Sequence, residues 1–125
     1  MDKRVYSGYR DLKVYRLAYH LALQMQKITN TFPQEEKYAL TDQVRRSSRS
    51  VPANLAEAWK KRRYEMFISK LIDAAGEVGE TEVWLDFAKD FGYLDENNHN
   101  ELRSKYDEVS RMLHGMIEKS DKFAK

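Results

Sequence analysis

Apolar residues recur along this chain at steps of three and four, the spacing that lines one face of an α-helix. The first stripe is Val14, Ala18, Leu21, Met25, Ile28 and Phe32, which leaves Lys13, Arg16, Gln24 and Lys27 to face water. It predicts a helix over roughly Asp11 to Thr29, with Asp11 as N-cap because its carboxylate can accept from the free amides of a first turn. Phe32-Pro33 ends the pattern, since proline disfavours helical backbone at the residue before it. A second stripe, Leu40, Val44, Ser47, Val51, Leu55 and Ala58 or Trp59, predicts a helix reaching about Lys61, with Thr41 and Asp42 as candidate caps. Pro52 lies inside it, removes one hydrogen bond and clashes with the carbonyl of Ser48. A kink or a break is expected there, with Ser48 placed to compensate the freed backbone groups.

The third helix, about Arg63 to Phe91, carries the cleanest register: Tyr64, Phe67, Leu71, Ala74, Val78, Thr81, Leu85 and Ala88. A second apolar line runs beside it through Ile68, Ile72, Ala75, Val83, Trp84, Phe87 and Phe91. A helix this apolar around its circumference needs more cover than three neighbours in a small monomer supply. Ile68, Ile72, Ala75, Gly79, Val83, Trp84 and Phe87 are therefore candidate oligomer-interface residues. Gly76 and Gly79 each cost about 1 kcal/mol against alanine in a helix interior, which predicts the close approach of another helix. Gly92 suits a left-handed helix end with Tyr93 folding back on the last turn. Asp95 then caps a fourth helix to about Lys119, with the stripe Leu102, Tyr106, Val109, Leu113 and Met116, extended by Phe123 if the helix continues.

The pattern as a whole predicts an all-α fold: an antiparallel up-and-down four-helix bundle, assembled as a homo-oligomer, with neighbours packed about 20° off axis. Residues 11–119 form the domain, 1–10 an N-terminal extension and 120–125 a frayed tail. Composition supports a soluble bundle: 125 residues, 42% hydrophobic and 34% charged, with two prolines and five glycines, too few for a turn-dense all-β chain. The absence of cysteine excludes disulfides and thiolate metal sites and is compatible with a reducing compartment. Met1–Arg10 lacks the apolar stretch of a signal peptide, and no run approaches the roughly 20 apolar residues of a membrane span. A cytoplasmic protein with no membrane partner is the expectation.

Candidate chemistry is sparse. Glu96 and His99 form one Glu-x-x-His pair, but a di-metal bundle site needs two such pairs and two further inward glutamates. In the first turn of the fourth helix, expected to be exposed, Glu96 reads instead as a favourable charge at a helix N-terminus. Arg16 with His20 and Arg111 with His114 are spaced too closely for the Arg/His pairing of some all-α RNA-cleaving domains and read as helix-surface neighbours. No Gly-x-Ser-x-Gly turn or phosphate-cradling glycine loop is present. The sequence thus predicts no enzyme, no catalytic residue, no metal, no cofactor and no small-molecule substrate.

Charge changes the picture more. The net charge of +2 announces no nucleic-acid partner, but its distribution is uneven. Arg45, Arg46 and Arg49 cluster on the second helix, and Lys60, Lys61, Arg62 and Arg63 at the following junction, as candidate contacts to nucleic-acid phosphates. An equally physical reading has Glu77, Glu80 and Glu82 pairing with the arginines across the bundle, and residues 60–63 as a solvated turn. Tyr64, Tyr106 and Trp84 could stack on bases, yet at helical spacing they read better as packing anchors.

Several segments together resemble one family. Arg10-Asp11-Leu12-Lys13-Val14-Tyr15 is similar to the opening motif of the 23S rRNA intervening-sequence proteins, also called the four-helix bundle or S23 family. The likeness continues through Phe32-Pro33 with Glu35, Glu36 and Tyr38, and is strongest from Gln43 to Glu57, including Arg45-Arg46 and Val51-Pro52-Ala53-Asn54-Leu55-Ala56-Glu57. Phe67, Gly76, Glu80, Glu82 and the Ala88 to Tyr93 turn match as well, so that residues 10 to 118 are covered. Ala58 and Ala39 stand where glycines are usual, Ser47-Ser48 where alanines are, and Trp84 where a polar residue is common. The resemblance implies a left-handed antiparallel bundle assembled as a ring-like homopentamer. It also implies a bacterial gene, within a 23S rRNA intervening sequence or elsewhere. A related accessory protein of diversity-generating retroelements binds a reverse transcriptase and nucleic acid, while the family's own role is not established. At the matching positions, Arg45 or Arg46 is expected to pair with Glu80, and Asn54 and Glu57 to organise the kinked half of the second helix.

Two functional readings stand. One is a non-enzymatic oligomeric binding protein whose partner is RNA, DNA or a nucleic-acid enzyme. The other is a structural protein–protein interaction module with no direct nucleic-acid binding.

Overall fold

The computed structural model describes residues 6–61 and 63–124. The chain is helical: α1 spans Lys13–Thr29, α2 Leu40–Lys61, α3 Tyr64–Asp90, α4 Glu96–Glu118, and a last turn, α5, Ser120–Phe123. Single 3-10 turns at Tyr9–Asp11 and Gln34–Glu36 precede α1 and α2.

Cross-helix pairs fix the topology. Arg45 meets Thr29 and Arg49 meets Gln26, so α2 runs back along α1. Glu57 meets Lys70 and Ser47 meets Thr81, so α3 runs back along α2. Asp86 meets His99 and Glu82 meets Arg103, so α4 runs back along α3. α1 and α4 also touch and close the square, giving the antiparallel four-helix bundle expected from the stripes.

The stripes are the core. Val14, Ala18, Leu21 and Met25 of α1, Val44, Val51 and Leu55 of α2, Phe67, Leu71, Val78 and Leu85 of α3, and Tyr106, Val109 and Leu113 of α4 are all buried. Truncating a large member of this set to alanine costs about 3–5 kcal/mol, because the lost contacts and the cavity add. One polar contact lies within it, where Thr81 Oγ1 donates to Ser47 Oγ at 2.8 Å.

The helix ends differ from the sequence reading in places. Asp95 caps α4 as expected, its Oδ1 accepting from the Asn98 amide at 2.7 Å. Gly92, at φ +82°, ends α3 in the left-handed conformation that disfavours a β-carbon. Tyr93 N–H donates to Ala88 O and Gly92 N–H to Lys89 O, while the Tyr93 hydroxyl donates to Glu36 at 2.9 Å. Asp11, however, does not cap α1. Its carboxylate turns back to accept from the Ser7 amide and hydroxyl at 2.7 and 2.6 Å, and the extended Leu12 precedes the helix. Thr41 and Asp42 lie inside the first turn of α2, which begins at Leu40.

α2 continues through Pro52 without a break. The Ser48 hydroxyl donates to the Arg45 carbonyl at 3.2 Å and so does not replace the bond that proline removes. Asn54 Nδ2 donates to the Ser50 carbonyl at 2.8 Å just beyond the proline. The tail is not frayed up to Ala124: Phe123 stacks on Phe67, lies edge-on to Trp59 and also meets Tyr6, because a bulky ring at this end finds apolar cover. Residues 6–11 likewise lie against the bundle, with Tyr6 edge-on to Trp59 and Tyr9 edge-on to Tyr15.

Candidate functional site

The outward face of α3 is the feature that the fold leaves unexplained. At about 100° per residue, Ile72, Gly76, Gly79, Val83 and Phe87 fall opposite the buried stripe. Ile72 is 54%, Val83 48% and Phe87 45% exposed, and Phe91, beyond the helix end, 55%. Ile68, Ala75 and Trp84 are half-buried at the margins. Trp84 and Phe87 lie in contact, as do Phe87 and Phe91, so the ridge ends in an aromatic cluster. A β-carbon at Gly76 or Gly79 would meet nothing within 4 Å. The close helix approach expected at these glycines is therefore not made inside the chain. Tyr64, read from its register as a packing anchor, is 54% exposed because it starts the helix beyond the reach of the neighbouring core. Tyr106 and half-buried Trp84 do pack, as expected.

The basic groups of α2 are largely engaged with α1. Arg45 Nε donates to Thr29 Oγ1 at 2.8 Å and its Nη2 to Asn30 Oδ1 at 2.9 Å. Arg49 Nη2 donates to Gln26 Oε1 at 2.6 Å. Arg46 faces solvent, 3.8 Å from Asp42 one turn earlier. The expected pairing of Arg45 or Arg46 with Glu80 is not formed, because Arg45 turns toward α1 and Arg46 outward. Glu77, Glu80 and Glu82 make no close ion pair with these arginines among the described residues. Glu77 does feel Arg46, although burial and its acidic neighbours push its carboxyl above the ordinary range.

At the α2–α3 junction, Lys60 and Arg63 are exposed and Arg62 lies outside the described residues. Lys61 lies 3.5 Å from Glu57, whose stronger partner is Lys70 at 2.9 Å. That hydrogen bond and the Lys70 charge hold the Glu57 carboxyl below its usual range, so Glu57 fastens α2 to α3 just past the proline. An open cleft of about 760 Å³ lies beside the junction, lined by Arg10, Lys60, Lys61 and Arg63 together with Tyr9 and Trp59. The Arg10 guanidinium sits 5.1 Å over the Tyr9 ring.

A polar network that sequence spacing missed joins α3 to α4. Arg103 donates to Glu82 at 2.9 Å and to both oxygens of Asp86 at 2.9 and 3.2 Å. His99 Nε2 lies 2.7 Å from Asp86 Oδ1. His99 is thus buried at 6% exposure, not in an exposed turn, because it occupies the inward side of α4 and Asp86 reaches it from α3. Burial, with a hydrogen bond shared with Asp107, pushes Glu82 up to about 6 despite Arg103 beside it. Burial acts against ionisation of Asp86 too, but hydrogen bonds from His99 and Arg103 hold its carboxyl below the ordinary value. No group of three metal-ligating side chains converges among the described residues.

A second surface was also missed. Tyr15, Tyr19, Ala22 and Leu23 of α1 face Pro52 and Ala53 of α2 across a groove of about 430 Å³, with Gln26 and Arg49 on its floor and rim. Tyr19 and Leu23 are each 50% exposed, and the Tyr15 and Tyr19 rings stack at 5.9 Å. The available signal was the placement of Tyr19 and Leu23 off the α1 stripe.

A family model described as 23S rRNA-intervening sequence protein matches residues 10–115, most of the chain. The protein belongs to this family. The 23S rRNA-intervening sequence fold is also seen in a protein of unknown function from the S23 ribosomal protein family of Bacteroides thetaiotaomicron. That structure superposes with a TM-score of 0.78 at 25% identity, covering 84% of this chain and 95% of the other. No functionally curated protein matches. No helix among the described residues is long and apolar enough to cross a membrane.

Proposed function

We propose that this 23S rRNA-intervening sequence protein is a non-catalytic, self-assembling helical-bundle module, a homopentamer by family resemblance, that works in the cytoplasm as a binding scaffold. The observation that supports this reading best is the uncovered apolar ridge of α3, where Ile72, Val83 and Phe87 stand about half exposed beside two unobstructed glycines. Contiguous exposed apolar surface of this kind marks an association site, and helix glycines with open space above them suit the approach of another backbone. Sedimentation velocity over a range of concentrations tests it: an assembled species supports the reading, and a single subunit throughout contradicts it.

RNA is the partner we favour. Arg10, Lys60, Lys61 and Arg63 surround an open cleft with aromatic walls, and their multiplication in an oligomer would strengthen the field toward phosphate. Their partners support this choice over the arginines of α2, since Arg45 and Arg49 are held by α1. Retention of a structured RNA hairpin by the assembled protein at low salt, weakening as salt rises, is the expected result. Assembly without retention would favour the pure protein–protein module.

A further inference from the structure

Charge is segregated between the two halves of the bundle. α1 carries three basic side chains and no carboxylate, and α2 five basic against two acidic. α3 reverses this with two basic against seven acidic, and α4 has three against five. Each half also displays an apolar surface. The α3 ridge of Ile72, Val83 and Phe87 is accompanied by exposed Asp73, Glu80 and Asp90. The α1–α2 groove of Tyr19, Leu23 and Ala53 is accompanied by Arg16 and Arg49, with Lys27 further along α1.

We infer that the α3 ridge of one copy seats in the α1–α2 groove of the next, so that subunits join head to tail. This rests on the self-assembly proposed above and names both halves of its interface. A ridge packed on a second ridge would bring two acidic helices together without intervening bases, which like-charge repulsion disfavours. A ridge in the groove sets carboxylates against guanidinium and ammonium groups and buries apolar surface on both sides. Shape agrees with charge. Gly76 and Gly79 leave the centre of the ridge without side chains, so the α3 backbone can come close to the groove walls. α1 and α3 occupy opposite corners of the bundle, so one copy cannot bring its own ridge to its own groove. Such a heterologous contact builds a closed ring or an open filament and not a two-fold dimer.

Two surface variants separate this pairing from assembly in general. Val83→Arg blocks the ridge and Leu23→Glu blocks the groove, and circular dichroism on each checks that the bundle is folded. Each variant alone should sediment as a single subunit. An equimolar mixture should recover a species containing both chains in equal number, since each supplies the intact half that the other lacks. If wild type is itself a single subunit at every concentration, or if both variants assemble as wild type does, the self-assembly reading falls and takes this inference with it. If Val83→Arg is a single subunit but Leu23→Glu still assembles, self-assembly stands and the head-to-tail pairing is overturned. Loss of oligouridylate retention in that assembled Leu23→Glu protein would assign the groove to single-stranded RNA instead.

Discussion

The two faces of α3 are built from similar residues and meet different surroundings. On the inward face Phe67, Leu71, Val78 and Leu85 are at most 1% exposed, each held between α2 and α4 or the chain end. On the outward face Ile72, Val83 and Phe87 keep about half of their surface in contact with solvent. The only glycines within α3 lie on this outward side and meet no neighbour. Hydrophobicity alone therefore does not say which apolar line is core. The inward line serves the stability of one subunit, and the outward line is surplus to it.

The difference is open to measurement, beginning with the inward face. Phe67→Ala should lower unfolding free energy by about 3–5 kcal/mol, since it removes a fully buried ring that also stacks on Phe123. Urea denaturation reads this directly, and a loss below about 1 kcal/mol would break the distinction between the faces.

The flank of α3 that meets α4 should show an intermediate effect through pH. Glu82 is raised from 4.5 to about 6, so the folded state binds this proton more tightly than the unfolded chain does. Its contribution is present in full below about pH 4.5 and is lost as pH rises through about 6. Across that window wild type should lose about 1–2 kcal/mol relative to the trend of Glu82→Gln, because holding a proton one pH unit more tightly is worth about 1.4 kcal/mol. Asp86, whose carboxyl is held low, acts in the opposite sense and only at more acid pH. Parallel stability profiles for wild type and variant over this window would remove Glu82 from the account.

The smallest effect belongs to the outward face. At dilutions where the protein is a single subunit, Val83→Gln should change unfolding free energy by no more than about 0.5 kcal/mol, as for other exposed sites. A core-sized loss there would mean that the ridge serves the subunit after all.

The stripes of Val14 to Met25, Leu40 to Leu55, Phe67 to Ala88 and Leu102 to Met116 were legible in sequence because helix periodicity is local and burial repeats it at every turn. So were the Asp95 cap and the Gly92 turn, which depend on residues a few positions apart. What depends on partners distant in sequence was not. Arg45 turns to Thr29 and Asn30 rather than to Glu80. His99 is drawn inward by Asp86 on the preceding helix. Phe123 finds Phe67 and Trp59 across the end of the bundle, turning an expected frayed tail into packed structure. Asp11 has the composition of a cap, but Ser7 lies closer than the amides of α1. The surplus apolar line of α3 was visible as composition, whereas its exposure required knowing where α2 and α4 sit.

Whether that outward line joins subunits is decided most directly by sedimentation velocity on the full chain beside Phe87→Arg, with circular dichroism establishing that both are folded. Wild type should sediment as an oligomer and Phe87→Arg as a single subunit of the same fold. A wild type that stays a single subunit at all concentrations, or a Phe87→Arg protein that assembles as wild type does, would contradict the account.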